Sequence, residues 1–169
     1  MRASPLSLSW SHKRILMKLS KDQKEFVELL NSKKVKYLLV GGHAVGFHGH
    51  PRFTGDMDFL TETSQENATA VAAALKEFGF GELPCTVNEF TQRDVVFQIG
   101  RPPNRIDILT SISGVEFEEA WRRRVKADVD GLPLWVIDRE LLIRNKRATG
   151  RPHDLDDADK IQKRAPGSS

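Results

Sequence analysis

Asp56 and Asp58 stand one residue apart in the otherwise apolar stretch Asp56-Met57-Asp58-Phe59-Leu60, which reads as a β-strand. Side chains alternate along a strand, so both carboxylates project from one face, ~7 Å apart at the backbone. Met57 and Phe59 then point the other way, into a core. Two carboxylates on one face repel unless a cation or a proton joins them. Magnesium takes one or two carboxylates plus substrate phosphate oxygens, and this pair offers that clamp. The pair also reads as solvated aspartates at a strand end, although acids are depleted in strands. A third acid, Asp107, is centred in Arg105-Ile106-Asp107-Ile108-Leu109. With Ile106 and Ile108 pointing inward, Asp107 faces the opposite side. Two-metal phosphoryl transfer needs such a third ligand, which can also accept the proton of an attacking hydroxyl. The simpler alternative pairs Asp107 with Arg105 or another basic group.

Gly41-Gly42 closes the apolar run Val35–Val40 and allows a backbone to come close to a phosphate. A diglycine after a strand is also an ordinary turn. No Gly-Lys-Ser/Thr follows it and the glycine spacing is not that of a dinucleotide fold, so neither common nucleotide fingerprint applies. His43, His48 and His50 crowd the same loop, but their spacing matches no common metal motif and they read as loop fillers or base contacts. Arg122-Arg123-Arg124 reads as a solvated helix end, and Trp10, Trp121 and Trp135 are too scattered in sequence for a stacking platform.

The elements that must position these groups follow from local signals. Ser20-Lys21-Asp22-Gln23 is a capping box ahead of the spacing Phe26, Leu29, Leu30, predicting a helix over Lys21–Ser32. Thr63-Ser64-Gln65-Glu66 reads as a second box, launching a helix with Ala68, Val71, Ala72, Leu75 and Phe78 on one face and Gly79 at its end. Asp94–Ile99 and Arg105–Leu109 are predicted strands around the turn Gly100–Asn104, and Val115–Arg123 is a predicted helix. Asp130-Gly131 between Val125–Val129 and Leu134–Ile137 is a hairpin signal. Asp138 caps a helix to about Arg147, and a last helix follows from about Asp154. Hairpins interleaved with helices predict an α/β (α+β) sandwich with a mixed sheet flanked by helices.

A length of 169 residues, 39% of them hydrophobic and 29% charged, fits one globular domain. No run approaches the ~18 apolar residues of a membrane span. The single cysteine, Cys85, excludes an internal disulfide and a multi-cysteine zinc site and suits a reducing cytoplasm. The net charge of +3 is local: residues 1–19 hold four of the 26 basic residues and no acid, leaving 22 against 23 elsewhere. Basicity is therefore weak support for a nucleic-acid partner. Residues 1–16 read as a flexible basic leader, 17–163 as a single domain and 164–169 as a frayed tail.

A strand ending in Gly41-Gly42, then Arg52-x-Thr54-x-Asp56-Met57-Asp58, then an apolar-Asp107-apolar strand, resembles the DNA-polymerase-β-like nucleotidyltransferases. Small bacterial members of that superfamily include antibiotic adenylyltransferases and AbiEii-like toxin enzymes. The stretch Lys146-x4-Arg151-x2-Asp154-Leu155-x-Asp157 resembles the family's helix pair, so the likeness spans about residues 35–160. It implies a polymerase-β-like fold and a magnesium-dependent transfer of a nucleoside monophosphate from an NTP to a hydroxyl acceptor: an antibiotic, a tRNA end or a protein. Asp56, Asp58 and Asp107 would hold two Mg2+ ions, with Asp107 also the base. Gly41, Gly42, Arg52, Thr54 and Lys146 would hold the triphosphate, Lys146 from an exposed helix position. Residues 139–151 carry five basic residues against one acid, which suits a triphosphate. The family's usual Gly-Ser is Gly41-Gly42 here, and no separate substrate domain follows. Two rivals are a non-catalytic nucleotide-binding or interaction module of a toxin–antitoxin pair, with an antitoxin as partner, and a metal-dependent phosphodiesterase.

Overall fold

The computed structural model describes residues 18–79 and 86–164; the leader, Cys85 and residues 165–169 lie outside them. Helix α1 (Lys21–Ser32) begins where the capping box places it: Ser20 Oγ accepts the Gln23 N–H while the Gln23 side chain accepts the Ser20 N–H. Strand β1 (Tyr37–Val40) follows, then a short helix α2 (Gly41–Phe47). Gly41-Gly42 thus opens a helix instead of a loop turn. Strand β2 (Asp56–Thr61) leads to α3 (Gln65–Phe78) and a 3-10 turn at Val87–Thr91. Strands β3 (Val96–Ile99) and β4 (Arg105–Leu109), helix α4 (Phe117–Arg122), the hairpin β5 (Val125–Val129) and β6 (Leu132–Val136), and helices α5 (Arg139–Thr149) and α6 (Pro152–Lys163) complete the chain.

Several starts differ from expectation: β3 begins at Val96 instead of Asp94, α4 at Phe117 instead of Val115 and β6 at Leu132 instead of Leu134. The cap of α3 is Ser64, not Thr63: its Oγ accepts the Asn67 N–H. Asn67 is buried and its amide bridges strands, accepting from Lys36 N at 2.7 Å and donating to Lys36 O and Glu62 O. The helix therefore begins one residue later, where Asn67 can sew the ends of β1 and β2 together. The hairpin turn is as the Asp130-Gly131 pair demands, both residues having positive φ (55° and 86°).

The six strands form one mixed sheet in the order β3-β4-β2-β1-β6-β5. Strand β2 is antiparallel to β1 and parallel to β4, and β1 is parallel to β6. Along β2, Met57 and Phe59 are fully buried, and so on β4 are Ile106 and Ile108, as alternation requires. Phe26 of α1 stands between them and α3, its ring 5.6 Å from Phe59 and 5.2 Å from Phe78. One sheet face is thus sealed by α1 and α3, leaving the aspartate face for other use. Among the described residues no helix is long and apolar enough to cross a membrane.

Trp121 and Trp135, distant in sequence, meet at 6.2 Å because the hairpin folds β6 back toward α4. The Arg124 guanidinium lies over both indoles, 4.0 and 4.6 Å from their centroids. Arg123 bonds Asp138 at 3.0 Å. Arg124 is therefore packed, while Arg122 and Arg123 stay exposed at the helix end as expected. Because Phe26 joins α1, α3 and the sheet, Phe26→Ala should cost about 3–5 kcal/mol in a denaturant titration; a loss under ~1 kcal/mol would mean that α1 is not part of the core.

Candidate active site

The parallel pairing of β2 with β4 builds the site. Its register sets Asp58 beside Asp107 and Asp56 beside Arg105, on strands ~4.8 Å apart. The carboxylates of Asp56, Asp58 and Asp107 converge, with one oxygen of each within 4.8 Å of the others. Asp107 is only 6% exposed. Together they wall a cleft of about 690 Å³ that also takes in Gly41, Gly42, Arg52, Thr54 and Lys146. All eight residues singled out from the sequence therefore line one cavity.

Three acids this close need positive partners, and the first is Arg105. Its Nη2 donates to Asp56 Oδ2 at 2.7 Å and to Asp107 Oδ2 at 3.2 Å, and its Nε donates to Asp107 Oδ1 at 3.0 Å. The pairing of Asp107 with Arg105, held open above, is real and extends to Asp56. Strand period places Arg105 on the face of Asp107, but its reach to Asp56 depends on the β2–β4 register, which the sequence does not print. One guanidinium cannot neutralise three carboxylates. Burial, then the charges of Asp56 and Asp107 and a hydrogen bond to Asp107, push the Asp58 carboxyl up to about 7, while Lys146 acts in the opposite sense.

That surplus of negative charge is the test of whether a metal fits. An all-oxygen cluster with more carboxylate than its own cation can balance suits a hard divalent ion, and Asp56, Asp58 and Asp107 would hold it. None of the loop histidines joins it. His43 Nδ1 lies 3.1 Å from Asp56 O, and His48 Nε2 lies 2.7 Å from Ile137 O. Burial holds the His43 pKa below the usual imidazole value, against the pull of Asp56.

The glycines have a reason beyond any ligand. Val40 is opposite Asp58 in the sheet, so Gly41 follows directly beside that carboxylate. Gly41 has φ +69°, and a Cβ there would run into Asp58 Oδ2. A Cβ on Gly42 would come within 2.8 Å of Thr54 Oγ1. Thr54 Oγ1 in turn reaches Asp56, 3.1 Å from its backbone oxygen and 3.2 Å from Oδ1.

The basic wall is arranged differently from expectation. Lys146 is 6% exposed, not a surface residue. Its Nζ lies 2.9 Å from Asp154 Oδ1 and 3.4 Å from Asp157 Oδ2. Arg52 donates to both oxygens of Asp157, at 3.1 and 2.9 Å. Burial alone would raise the Asp154 pKa, but hydrogen bonds from Thr149, Lys146 and Arg151 win and hold it at about 2. Left-handed Gly150 (φ 71°) and Pro152 at the start of α6 turn the chain so that α5 and α6 face each other across these pairs. Asp157, 1% exposed and shared by Arg52 and Lys146, is the residue that reading the sequence did not single out. Its place in the Lys146–Asp157 spacing was the available signal. Asn145 was also missed: it lines the cleft and donates from Nδ2 to Ser113 O at 2.9 Å.

No protein-family model matches the chain, and no curated protein sequence matches it. Among solved structures it is similar to an antigenic nucleotidyltransferase-like protein from Paracoccidioides brasiliensis, with a TM-score of 0.50 and 17% identity over 85% of this chain and 77% of that one. At that identity the likeness is one of fold. The chain has a mixed α/β, nucleotidyltransferase-like fold, with an acidic triad on the sheet face that opens into its cleft.

Two outcomes follow. Removing Lys146 leaves Asp157 paired with Arg52 and Asp154 with Thr149 and Arg151 but takes one charged donor from each, so Lys146→Ala should cost about 1–3 kcal/mol in a chemical melt; an unchanged midpoint would place the amine at a surface. For Asp58 the folded carboxyl holds a proton to about pH 7 that the unfolded chain releases near 3.8. The folded state therefore binds more protons between those values, and this group's contribution to stability falls as pH rises through that window. In chelator, Asp58→Asn should gain melting temperature over the wild type between about pH 5 and about pH 8. A difference that stays flat with pH would show no strained carboxyl.

Proposed function

We propose that the chain is a magnesium-dependent nucleotidyltransferase of the polymerase-β-like superfamily, transferring a nucleoside monophosphate from an NTP to a hydroxyl acceptor. The observation that carries this reading is the convergence of Asp56, Asp58 and Asp107 on one wall of a cleft whose opposite wall is basic. The nucleotidyltransferase-like fold supports it. Magnesium, when bound, supplies a Lewis acid at the phosphate and an acidified acceptor hydroxyl.

The protein's own residues then have distinct parts. Asp56 and Asp58 would hold the cations that neutralise the triphosphate. Asp107 takes the acceptor proton as the acceptor oxygen bonds the α-phosphorus and the α–β bridging bond breaks, its electrons leaving with pyrophosphate. Gly41 and Gly42 keep that part of the wall free of side chains, so phosphate can approach backbone. Thr54 fixes Asp56, and Arg52 and Lys146 project positive potential toward the phosphates from positions locked by Asp157. Gln98 Nε2, 3.4 Å from Asp107 Oδ2, steadies the base.

The acceptor is a small molecule such as an antibiotic, a tRNA end or a protein. The non-catalytic alternative, a module partnered by an antitoxin, draws on one observation: Arg105 already bridges two of the acids. Incubation with each α-phosphate-labelled NTP, magnesium and cell lysate separates the readings. A labelled product is expected, with chelator abolishing it and Asp107→Asn reducing it about 10²–10⁴-fold. Nucleotide binding without label from any NTP would favour the module; release of a labelled monophosphate alone would indicate a phosphodiesterase.

A further inference from the structure

Among the described residues, five side chains that can carry positive charge line the cleft: Arg52, Arg105, Lys146, Arg151 and His153. An NTP brings roughly four negative charges, so the question is which of them is available to meet it. Arg52 is held by both oxygens of Asp157, which is 1% exposed, and Lys146 is held by Asp154 and Asp157. Arg151 is paired with Asp154 at 2.8 Å, and His153 lies 3.8 Å from Asp157. None of those partners belongs to the acidic triad, so each of these four keeps its carboxylate whatever enters the cluster.

Arg105 is different. Both of its partners, Asp56 and Asp107, are the groups a metal would claim, and its side chain is 29% exposed at the cleft. A guanidinium bridging two carboxylates fills the electrostatic place of a cation, and a divalent ion drawn to Asp56 and Asp107 competes with it for the same oxygens and the same negative charge. We infer that Arg105 is an exchangeable counter-ion: it neutralises Asp56 and Asp107 while the cluster lacks metal, is displaced by a divalent ion, and then binds the phosphates of the incoming nucleotide. The inference rests on the nucleotidyltransferase reading and assigns its mobile phosphate-binding residue. It also gives an order to loading, since the side chain that meets the nucleotide is released only by the metal.

The consequence is a pair of effects with opposite sign. Loss of Arg105 removes a competitor for metal and, at the same time, a ligand for phosphate. Mn2+ binding alone is read by the electron-paramagnetic signal of the free ion, and binding of a methylene-bridged ATP analogue with magnesium by calorimetry. Arg105→Gln should bind Mn2+ at least about tenfold more tightly and the analogue at least about tenfold more weakly. Arg105→Lys controls for charge: it keeps the +1 but cannot bridge two carboxylates in a fork, so Mn2+ should still bind more tightly than to the wild type. Arg151→Gln, which removes the same charge from a residue outside the cluster, should leave Mn2+ affinity within about twofold of wild type. If Arg105→Gln does not fold, Arg105→Lys decides by the same Mn2+ comparison. Weakening of both ligands, or no change in either, would mark Arg105 as a structural strut and overturn the inference while leaving the proposed function standing. A wild type that binds neither Mn2+ nor the analogue overturns both.

Discussion

The parallel register of β2 on β4 is the constraint from which the rest of the cleft follows. It brings Asp58 level with Asp107 and Asp56 level with Arg105, so three acids and one guanidinium share a few ångströms of sheet surface. Slipping β4 by one residue against β2 would turn Arg105 and Asp107 to the other face and drive Ile106 and Ile108 into the cleft. The buried hydrophobic face thus pins the charged one. Phe26, Phe59 and Phe78 secure the register through packing that has nothing to do with the cluster's own energetics, which are unfavourable.

A second arrangement positions the opposite wall. Arg52 in the loop before β2, Lys146 on α5 and Asp157 on α6 form one buried chain of charges, extended by Asp154 to Thr149 and Arg151. Ion pairs of this kind are weak evidence for net stability, because desolvation offsets much of their attraction. Their effect is geometric: Arg52 and Asp157 tie the loop before β2 to α6, and Lys146 ties α5 to α6 through Asp154 and Asp157. The loop carrying Arg52 and Thr54 is held from both sides, by Asp157 and by Asp56, so the residues that face a ligand rest on a fixed frame.

What the sequence made legible was local. The bounds of α1, β4 and β5 coincide with those read from capping, alternation and the Asp130-Gly131 turn, because each signal acts within a few residues. The three aspartates were legible because acids contradict an apolar strand. Lys146 was misjudged for the converse reason: a basic run on a helix looks solvated, and only the packing of α5 on α6 shows Asp154 and Asp157 beneath it. The same gap hid the meeting of Trp121 with Trp135, which depends on the direction of a hairpin rather than on spacing. Gly41 was read as room for a phosphate, yet its positive φ and the nearness of Asp58 require glycine before any ligand is considered.

Several of the residues that break local rules gather in one place. Acids interrupt two central strands, a glycine with positive φ opens a helix, a lysine is buried, and a carboxyl keeps its proton near neutrality; all of them border one cleft. Elsewhere the exceptions are isolated: Lys34 and Asp94 take positive φ, and Thr61 Oγ1 is buried without a hydrogen-bond partner. A fold selected for stability alone has no reason to gather its exceptions in one place, since a well-packed apolar cluster would serve better than paired buried charges. Concentrated exceptions therefore argue that the cleft was shaped by something it binds, and their chemistry, oxygen ligands facing guanidinium and ammonium groups, is that of a cation and an anion held side by side.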